Sequence, residues 1–284
     1  MIVIGTRGSA LALAQAKLVA DALGDAELRI IRTAGDKSER PISELGDGVF
    51  VTAIEDALRS GEIDVAVHSL KDLPTAEPAD LVIAAVPARE DPRDVVITRT
   101  RGGIADLGPG ARVGTSSPRR AAFLRALAPG IACAEIRGNV DTRLRRVRDG
   151  EYDAVVLAAA GLRRLGIAFA DEEALSLEAC PPAPGQAALA VQTRADHVSR
   201  DRIRARLDDA AVHAAVTAER EVLRLLGASC EIPLGCHARW DRGSIALDAA
   251  LATDGGVRRA HAAGDDPLAV ARAAAEQLGA IARV

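Results

Sequence analysis

Aromatic residues make up only 2% of this 284-residue sequence, with one Trp, one Tyr and three Phe. Stacking platforms for nucleic-acid bases are therefore nearly absent. A basic excess is missing too, because 36 Lys and Arg stand against 40 Asp and Glu, for a formal net charge of −4. A nucleic-acid-binding domain normally carries the opposite balance, so no nucleic-acid partner is expected. No apolar run approaches the roughly 20 residues that a membrane helix needs. The chain opens on Met1-Ile2-Val3-Ile4 without a basic region and a long apolar stretch. The expectation is no secretory signal, a cytoplasmic location and no membrane partner. Four cysteines are too few for a disulfide framework in a chain this long. There is no CxxC pair to suggest zinc and no GxxxxGK[ST] loop to suggest ATP hydrolysis. Lysine is scarce: only Lys17, Lys37 and Lys71 occur among the 36 basic residues. Where arginine serves nearly everywhere, a remaining lysine points to a need for its own shape and titration, and Lys71 is the suggestive case.

What is present is an ordinary globular composition, 49% hydrophobic and 27% charged, in a length that suits about two domains or three small ones. Short apolar runs alternate with amphipathic stretches. Strands are predicted at Ile2–Ile4, Leu28–Thr33, Ile63–His68, Leu81–Val86, Asp94–Thr98, Ala111–Gly114, Ile131–Ile136, Tyr152–Leu157 and Ala187–Gln192. Helices are predicted at Leu11–Leu23, Val51–Ser60, Pro118–Ala128 and Thr142–Asp149. This alternation argues for α/β layers with mostly parallel sheets. Proline-bracketed links stand at Pro87–Arg93 and Cys180–Gly185. After the second link comes one apolar strand and then a different rhythm: a helix at Ala211–Leu226, antiparallel strands at Ser244–Ala252 and Val257–Ala262, and a closing helix at Pro267–Ala280. Two α/β lobes joined by paired crossings suggest a hinged cleft, followed by an α+β module.

In open α/β sheets, ligands bind where strand C-ends meet helix N-termini. Four such junctions carry arginine or hydroxyls: Gly5-Thr6-Arg7-Gly8-Ser9, Gly114-Thr115-Ser116-Ser117-Pro118-Arg119-Arg120, Arg137-Gly138-Asn139-Val140-Asp141-Thr142-Arg143, and Ala160-Gly161-Leu162-Arg163-Arg164. One arginine at one junction reads most simply as a solvated charge. The same arrangement repeated points to a small polyanion bearing carboxylates or phosphates. At the end of another strand, His68-Ser69-Leu70-Lys71-Asp72-Leu73-Pro74 places Lys71 beside Asp72. That pair is either an exposed ion pair or a carboxylate held at a cleft to stabilise a cation or move a proton. Cys133 lies in an apolar strand and Cys180 in a link. Cys230, bracketed by Ser229 and Pro233 in a turn, is either an inert thiol or an accessible nucleophile.

Taken together, these strings resemble the porphobilinogen deaminase (hydroxymethylbilane synthase) family. The resemblance is carried by the His68–Pro74, Gly114–Arg120 and Arg137–Arg143 segments, by Gly150-Glu151-Tyr152-Asp153-Ala154 through Ala160–Leu165, and by Ala218-Glu219-Arg220 leading to Ser229-Cys230 and Pro233-Leu234-Gly235. It runs in order from Gly5-Thr6-Arg7 to Gly235. It implies two periplasmic-binding-protein-like lobes and a third, smaller α+β domain: residues 1–89 with 184–200, residues 93–180, and residues 203–284. It also implies a monomeric transferase that condenses four porphobilinogen molecules head to tail, releases ammonia, and hydrolyses the product to hydroxymethylbilane. A covalent dipyrromethane primer would be joined by a thioether to Cys230. Asp72 matches the catalytic aspartate, and Arg7, Arg119, Arg120, Arg137, Arg143 and Arg164 match carboxylate-binding arginines. Ser9, Ser69, Lys71, Thr115, Ser116, Ser117, Gly138, Asn139 and Gln186 complete the expected cofactor and substrate set, and no metal is expected.

The chemistry agrees with such a site. Each pyrrole brings an acetate and a propionate, so a growing chain needs many fixed positive charges. Loss of ammonia leaves an electron-poor azafulvene cation that a carboxylate can stabilise. Arg120 and its neighbours would help keep Asp72 ionised. One carboxylate serves every cycle only if the chain or the domains shift, and the links near residues 87–93 and 181–185 would permit that. The sequence departs from the family at Ala228-Ser229 before the cysteine, where Gly-Gly is common, at Asp47 and Thr52, where lysines are frequent, and at Ala187, where the usual motif is Gly-Gln-Gly. Two other classes compete. A non-catalytic anion-binding module with the same lobes would explain the arginines but not Asp72 or Cys230. A metal protein using Cys230, Cys236 and His237 has little support in spacing.

Overall fold

A computed structural model describes residues 1–33, 51–227 and 232–279. Strand β1 (Ile2–Thr6) leads through Ser9 into α1 (Ala10–Leu23). The Ser9 hydroxyl accepts from the Ala12 N–H at 3.3 Å, which satisfies one of the donors that a helix start leaves open. Strand β2 (Ala26–Ile30) follows, then α2 (Thr52–Arg59), β3 (Val65–Ser69), a single 3-10 turn at Leu70–Asp72, and β4 (Leu81–Ala85). The chain then crosses to β5 (Asp94–Thr98), β6 (Arg112–Gly114), α3 (Pro118–Leu127), β7 (Ala132–Ala134), α4 (Val140–Arg148), β8 (Ala154–Ala158) and α5 (Ala159–Arg164). It returns as β9 (Leu189–Arg194).

The first sheet runs in the order β2-β1-β3-β9-β4 and the second β5-β8-β6-β7. The expectation of mostly parallel sheets needs qualifying. Strand β9 is antiparallel to both β3 and β4, and β5 is antiparallel to β8. The reason is the double crossing. Strand β5 enters the second sheet directly from the first, and β9 enters the first directly from the second. Each sheet therefore has a parallel core plus a strand delivered by the other lobe. Ile4, Val65, Val67, Leu189 and Val191 are buried in the first core, and Val96, Val113, Val156 and Phe123 in the second.

The remaining chain forms α6 (Arg200–Leu207), α7 (Ala210–Leu225), the antiparallel strands β10 (Leu234–Asp241), β11 (Ser244–Thr253) and β12 (Gly256–Gly264), and α8 (Pro267–Gln277). Ala218, Val222, Leu234, Cys236, Leu247, Ala271 and Ala274 build this module's own core. The fold is thus two α/β lobes with a smaller α+β domain, as the resemblance implies. Strand β10 and helices α5 and α6 come in addition to the elements predicted from the sequence. Strand β10 contains Gly235, Cys236 and His237, the last two named above as candidate metal ligands rather than as part of a strand.

Candidate active site

The parallel strands of both lobes deliver their C-terminal ends toward the lobe junction. After β3 the 3-10 turn carries Lys71, half-buried, and Asp72, exposed. Ser69 shares a hydrogen bond with Gln15 of α1, with Gln15 Nε2 at 2.9 Å from Ser69 Oγ. His68 is buried and bonded to Gln192 at 3.1 Å; burial, with Arg7 adding to it, pushes its pKa down to about 4. His68 is therefore a neutral structural residue, while Arg7 stands near enough for its charge to be felt there.

Lys71 reaches across the junction. Its Nζ donates to Gln186 Oε1 at 3.2 Å, and Gln186 Nε2 donates to Pro92 O at 2.7 Å and to Asp94 Oδ1 at 3.0 Å. Asp94 is fully buried at the start of β5 and anchors both expected arginines of α3. Arg119 Nη2 donates to Asp94 Oδ2 at 2.7 Å, and Arg120 Nη2 donates to Asp94 Oδ1 at 2.6 Å. Arg120 Nη1 also donates to Val156 O at 3.1 Å, and Arg119 Nη1 to Pro181 O at 2.6 Å. Burial opposes ionisation of Asp94, but Arg119 and Arg120 outweigh it and hold the carboxyl well below the usual range. The two arginines are thus fixed rather than mobile, and both turn toward one carboxylate. The Arg119 Nε–H is buried and has no partner among the described residues. Lys71 pays for the same setting: burial, with Arg120 adding to it against Asp72 and Asp94, lowers its pKa to about 8.

The loops of the second lobe supply the rest. Thr115 Oγ1 accepts from the Ser117 N–H at 3.2 Å, Ser116 Oγ donates to Ile136 O at 2.7 Å, and Ser117 Oγ caps α3 by accepting from the Arg120 N–H. Gly138 has φ 102°, and a Cβ there would lie 2.8 Å from Thr142, so the turn into α4 needs glycine. Asn139 stands at the N-cap of α4 without a side-chain cap bond. Arg143 Nε donates to Gly138 O at 2.7 Å, and Arg137 pairs with Glu135 at 3.1 Å. Burial, with Arg120, Arg137 and Arg146 close by, lowers the Arg143 pKa to about 10. Arg164 Nη2 donates to Ala187 O at 2.6 Å, and burial lowers its pKa. Ala187 itself holds φ 74°, a left-handed conformation in which glycine is at ease. Cys230 lies outside the described residues, as do Asp47 and the Ala228-Ser229 pair. Thr52 opens α2. Cys180 and Cys236 are buried, and among the described residues no cluster of metal-ligating side chains occurs.

Three groups have a place in the site that the sequence alone did not assign to them. Asp94 begins an otherwise apolar strand, and that single charge in Asp-Val-Val-Ile-Thr was its signal. Glu219 on α7 is fully buried; it accepts from Arg89 at 2.7 and 3.0 Å and from the Gly185 and Ala238 N–H groups at 2.7 Å each. It thereby ties both crossings to the third domain. Arg220, next to it, donates to the loop behind Asp72.

Two lobes with strand ends and arginines gathered at their junction, and a third domain clamped to both crossings, define a two-lobed α/β protein built for a small polyanion. The family model for the "Porphobilinogen deaminase, dipyromethane cofactor binding domain" matches residues 2–202, and that for the "Porphobilinogen deaminase, C-terminal domain" matches residues 213–283. The porphobilinogen deaminase of Roseiflexus sp. (strain RS-1) is 45% identical, over 98% of this chain and 95% of its own. That of Nocardia farcinica is 48% identical over 97% and 84%, and that of Mycolicibacterium paratuberculosis 52% over 84% and 77%. The chain belongs to the porphobilinogen deaminase family. Among solved structures, lipoprotein Tp32 from Treponema pallidum aligns with 72% of this chain and 88% of its own at 14% identity and a TM-score of 0.46.

Proposed function

We propose that this chain is a hydroxymethylbilane synthase that condenses four porphobilinogens head to tail, releases one ammonia from each, and hydrolyses the tetrapyrrole from the enzyme. The observation that carries this reading is the surplus of fixed cations at the lobe junction. Burial first, and then the like charges of Arg120, Arg137 and Arg146, weaken the hold of Arg143 on its proton. Such a site is relieved by bound carboxylates, and a dipyrromethane with two acetates and two propionates fits it. When bound, the dipyrromethane supplies the free pyrrole carbon on which the chain starts. Arg137, Arg143 and Arg164 would hold carboxylates, with Arg7, Ser9, Ser69, Thr115, Ser116, Ser117, Gly138 and Asn139 framing the strand ends. Arg119, Arg120 and Gln186, which the resemblance implies contact the cofactor or substrate, would also keep this frame rigid through Asp94.

Asp72 is the catalytic carboxylate in this reading. It is exposed at the strand end, so a pyrrole N–H can reach it. As ammonia leaves an incoming porphobilinogen, the carboxylate faces the cation that forms, and a preorganised negative charge lowers that barrier. Lys71 beside it offers a cation to substrate carboxylates, and Cys230 is the attachment thiol. The domains are residues 1–89 with 184–200, 93–180 and 203–284, in a cytoplasmic monomer. The test is stoichiometry: incubation with porphobilinogen should release one ammonia per porphobilinogen consumed and yield hydroxymethylbilane. Reversible binding without ammonia would return the chain to the class of anion receptors.

A further inference from the structure

Asp72 is exposed, so the backbone beneath it sets where its carboxylate stands. That backbone is not held by its own lobe alone. Arg220, on α7 of the third domain, is 9% exposed and turns its guanidinium into the loop around Asp72. Its Nη1 donates to Leu73 O at 3.1 Å, with Leu70 O at 3.5 Å. Its Nη2 donates to Pro74 O at 2.8 Å and to the Glu77 carboxylate at 3.2 Å. These acceptors bracket Asp72 in sequence on both sides. One planar fork therefore fixes consecutive carbonyls, which a single ammonium cannot do with the same geometry.

Two further observations give the contact a purpose. Helix α7 ends at Leu225, five residues before Cys230 in sequence, so the element that reads the Asp72 loop is also the one that leads to the attachment thiol. Its neighbour Glu219 binds Arg89 and Gly185 of the two crossings. A cavity of about 290 Å³ adjoins the contact, lined by Leu70, Thr75, Glu77, Val216, Arg220 and Arg224 among others. None of the strand-end arginines lines it, so it is not the substrate cleft. It leaves room for water beside the guanidinium.

We propose that Arg220 is a positioning residue of the reaction, holding the Leu70–Pro74 turn so that the third domain sets the place of the Asp72 carboxylate. The inference rests on Asp72 acting as the carboxylate proposed above. The experiment uses primed holoenzyme and single-turnover addition of porphobilinogen, read by quenched-flow mass spectrometry. Arg220→Lys keeps the charge beside Glu77 but loses the fork. It should slow pyrrole addition about tenfold while KM stays within about twofold. Arg220→Gln, which keeps an amide donor, serves as the second variant and should show the same split. In an Asp72→Asn background, Arg220→Lys should change the residual rate by less than about twofold, because the group it positions is already disabled. A tenfold loss of equal size in both backgrounds would show a purely structural contribution and overturn the proposal. So would an unchanged rate in the Asp72 background. Normal turnover by Asp72→Asn alone would instead overturn the reading of Asp72, and the proposal with it, and is told apart because it appears without any change at Arg220.

Discussion

Replacing Asp94 with Asn is the sharpest test of how the arginine site is held. The carboxylate is fully buried, and its two oxygens are divided between two cations, Arg119 at 2.7 Å and Arg120 at 2.6 Å. An asparagine has the same shape but must turn its NH2 toward one of those guanidinium groups. Whichever way it turns, one arginine loses a charge-assisted bond and meets a donor, and both lose the neutralising charge. Charge-assisted bonds contribute about 1.5–3 kcal/mol each. Removing one partner from a buried ionic cluster costs about 3–5 kcal/mol. We expect Asp94→Asn to lose about 3–5 kcal/mol in urea unfolding at neutral pH with an unchanged denaturant slope, a large share of the 5–15 kcal/mol typical of a domain. The pH dependence follows from the depressed carboxyl. A group whose folded pKa is lowered contributes stability that is present above its unfolded value and lost as pH falls toward the folded one. The difference between wild type and variant should therefore be constant from about pH 8 to 5 and narrow below about pH 4. A loss smaller than about 1 kcal/mol, or a difference that does not narrow in acid, would refute the account of Asp94 as the ionic anchor of Arg119 and Arg120.

Lys71, lowered to about 8, should lose its charge across mildly alkaline pH, so primer assembly on unprimed protein should decline above pH 8. Lys71→Arg should remove that decline, and its persistence in the variant would place the titrating group elsewhere. Because the same burial disfavours the charged lysine, its cost to stability should ease as pH rises from about 8 toward the ordinary lysine value of 10.5. Ala187, at φ 74°, should rank Gly above Ala above Val in thermal stability, with Ala187→Val losing about 1–2 kcal/mol; a Val protein as stable as wild type would contradict the strained backbone. Arg143→Met removes one cation from a cluster of like charges, so it should leave stability unchanged or raised while elongation stalls and partly extended chains accumulate. Loss of stability with normal elongation would make Arg143 a structural residue.

Most of the architecture was legible because it rests on local signals. Alternating apolar runs place strands β1 through β9, and Ser117 followed by Pro118 is the local signature of the helix start that the structure has at α3. Sheet direction was not legible. The antiparallel β9 and β5 have the same apolar pattern as parallel strands, and only the double crossing decides their sense. Strand β10 was hidden by Cys236 and His237, which read as chemistry while their role is packing and exposure along a strand. The arginine junctions were visible as a repeated motif, yet their internal partner was not. Nothing local ties Asp94 to Arg119 and Arg120, some 25 residues on, or Gln186 to Lys71 across the molecule. The same holds for Arg220, whose link to the Asp72 loop spans the whole first lobe pair in sequence. Long-range polar contacts of this kind leave no period or spacing in a single sequence.

Intact mass tests the central claim most directly. Purified protein should weigh more than its polypeptide by two porphobilinogens less two ammonias, the mass of a dipyrromethane added across a thiol. Cys230→Ser should lack that increment, whereas Cys133→Ser and Cys236→Ser, whose thiols lie in β7 and in the buried β10 core, should keep it. Brief exposure to porphobilinogen should then add a ladder of pyrrole units to the primed protein alone. An active protein at bare polypeptide mass, or a Cys230→Ser protein that still carries the increment, would contradict the covalent primer on which this account depends.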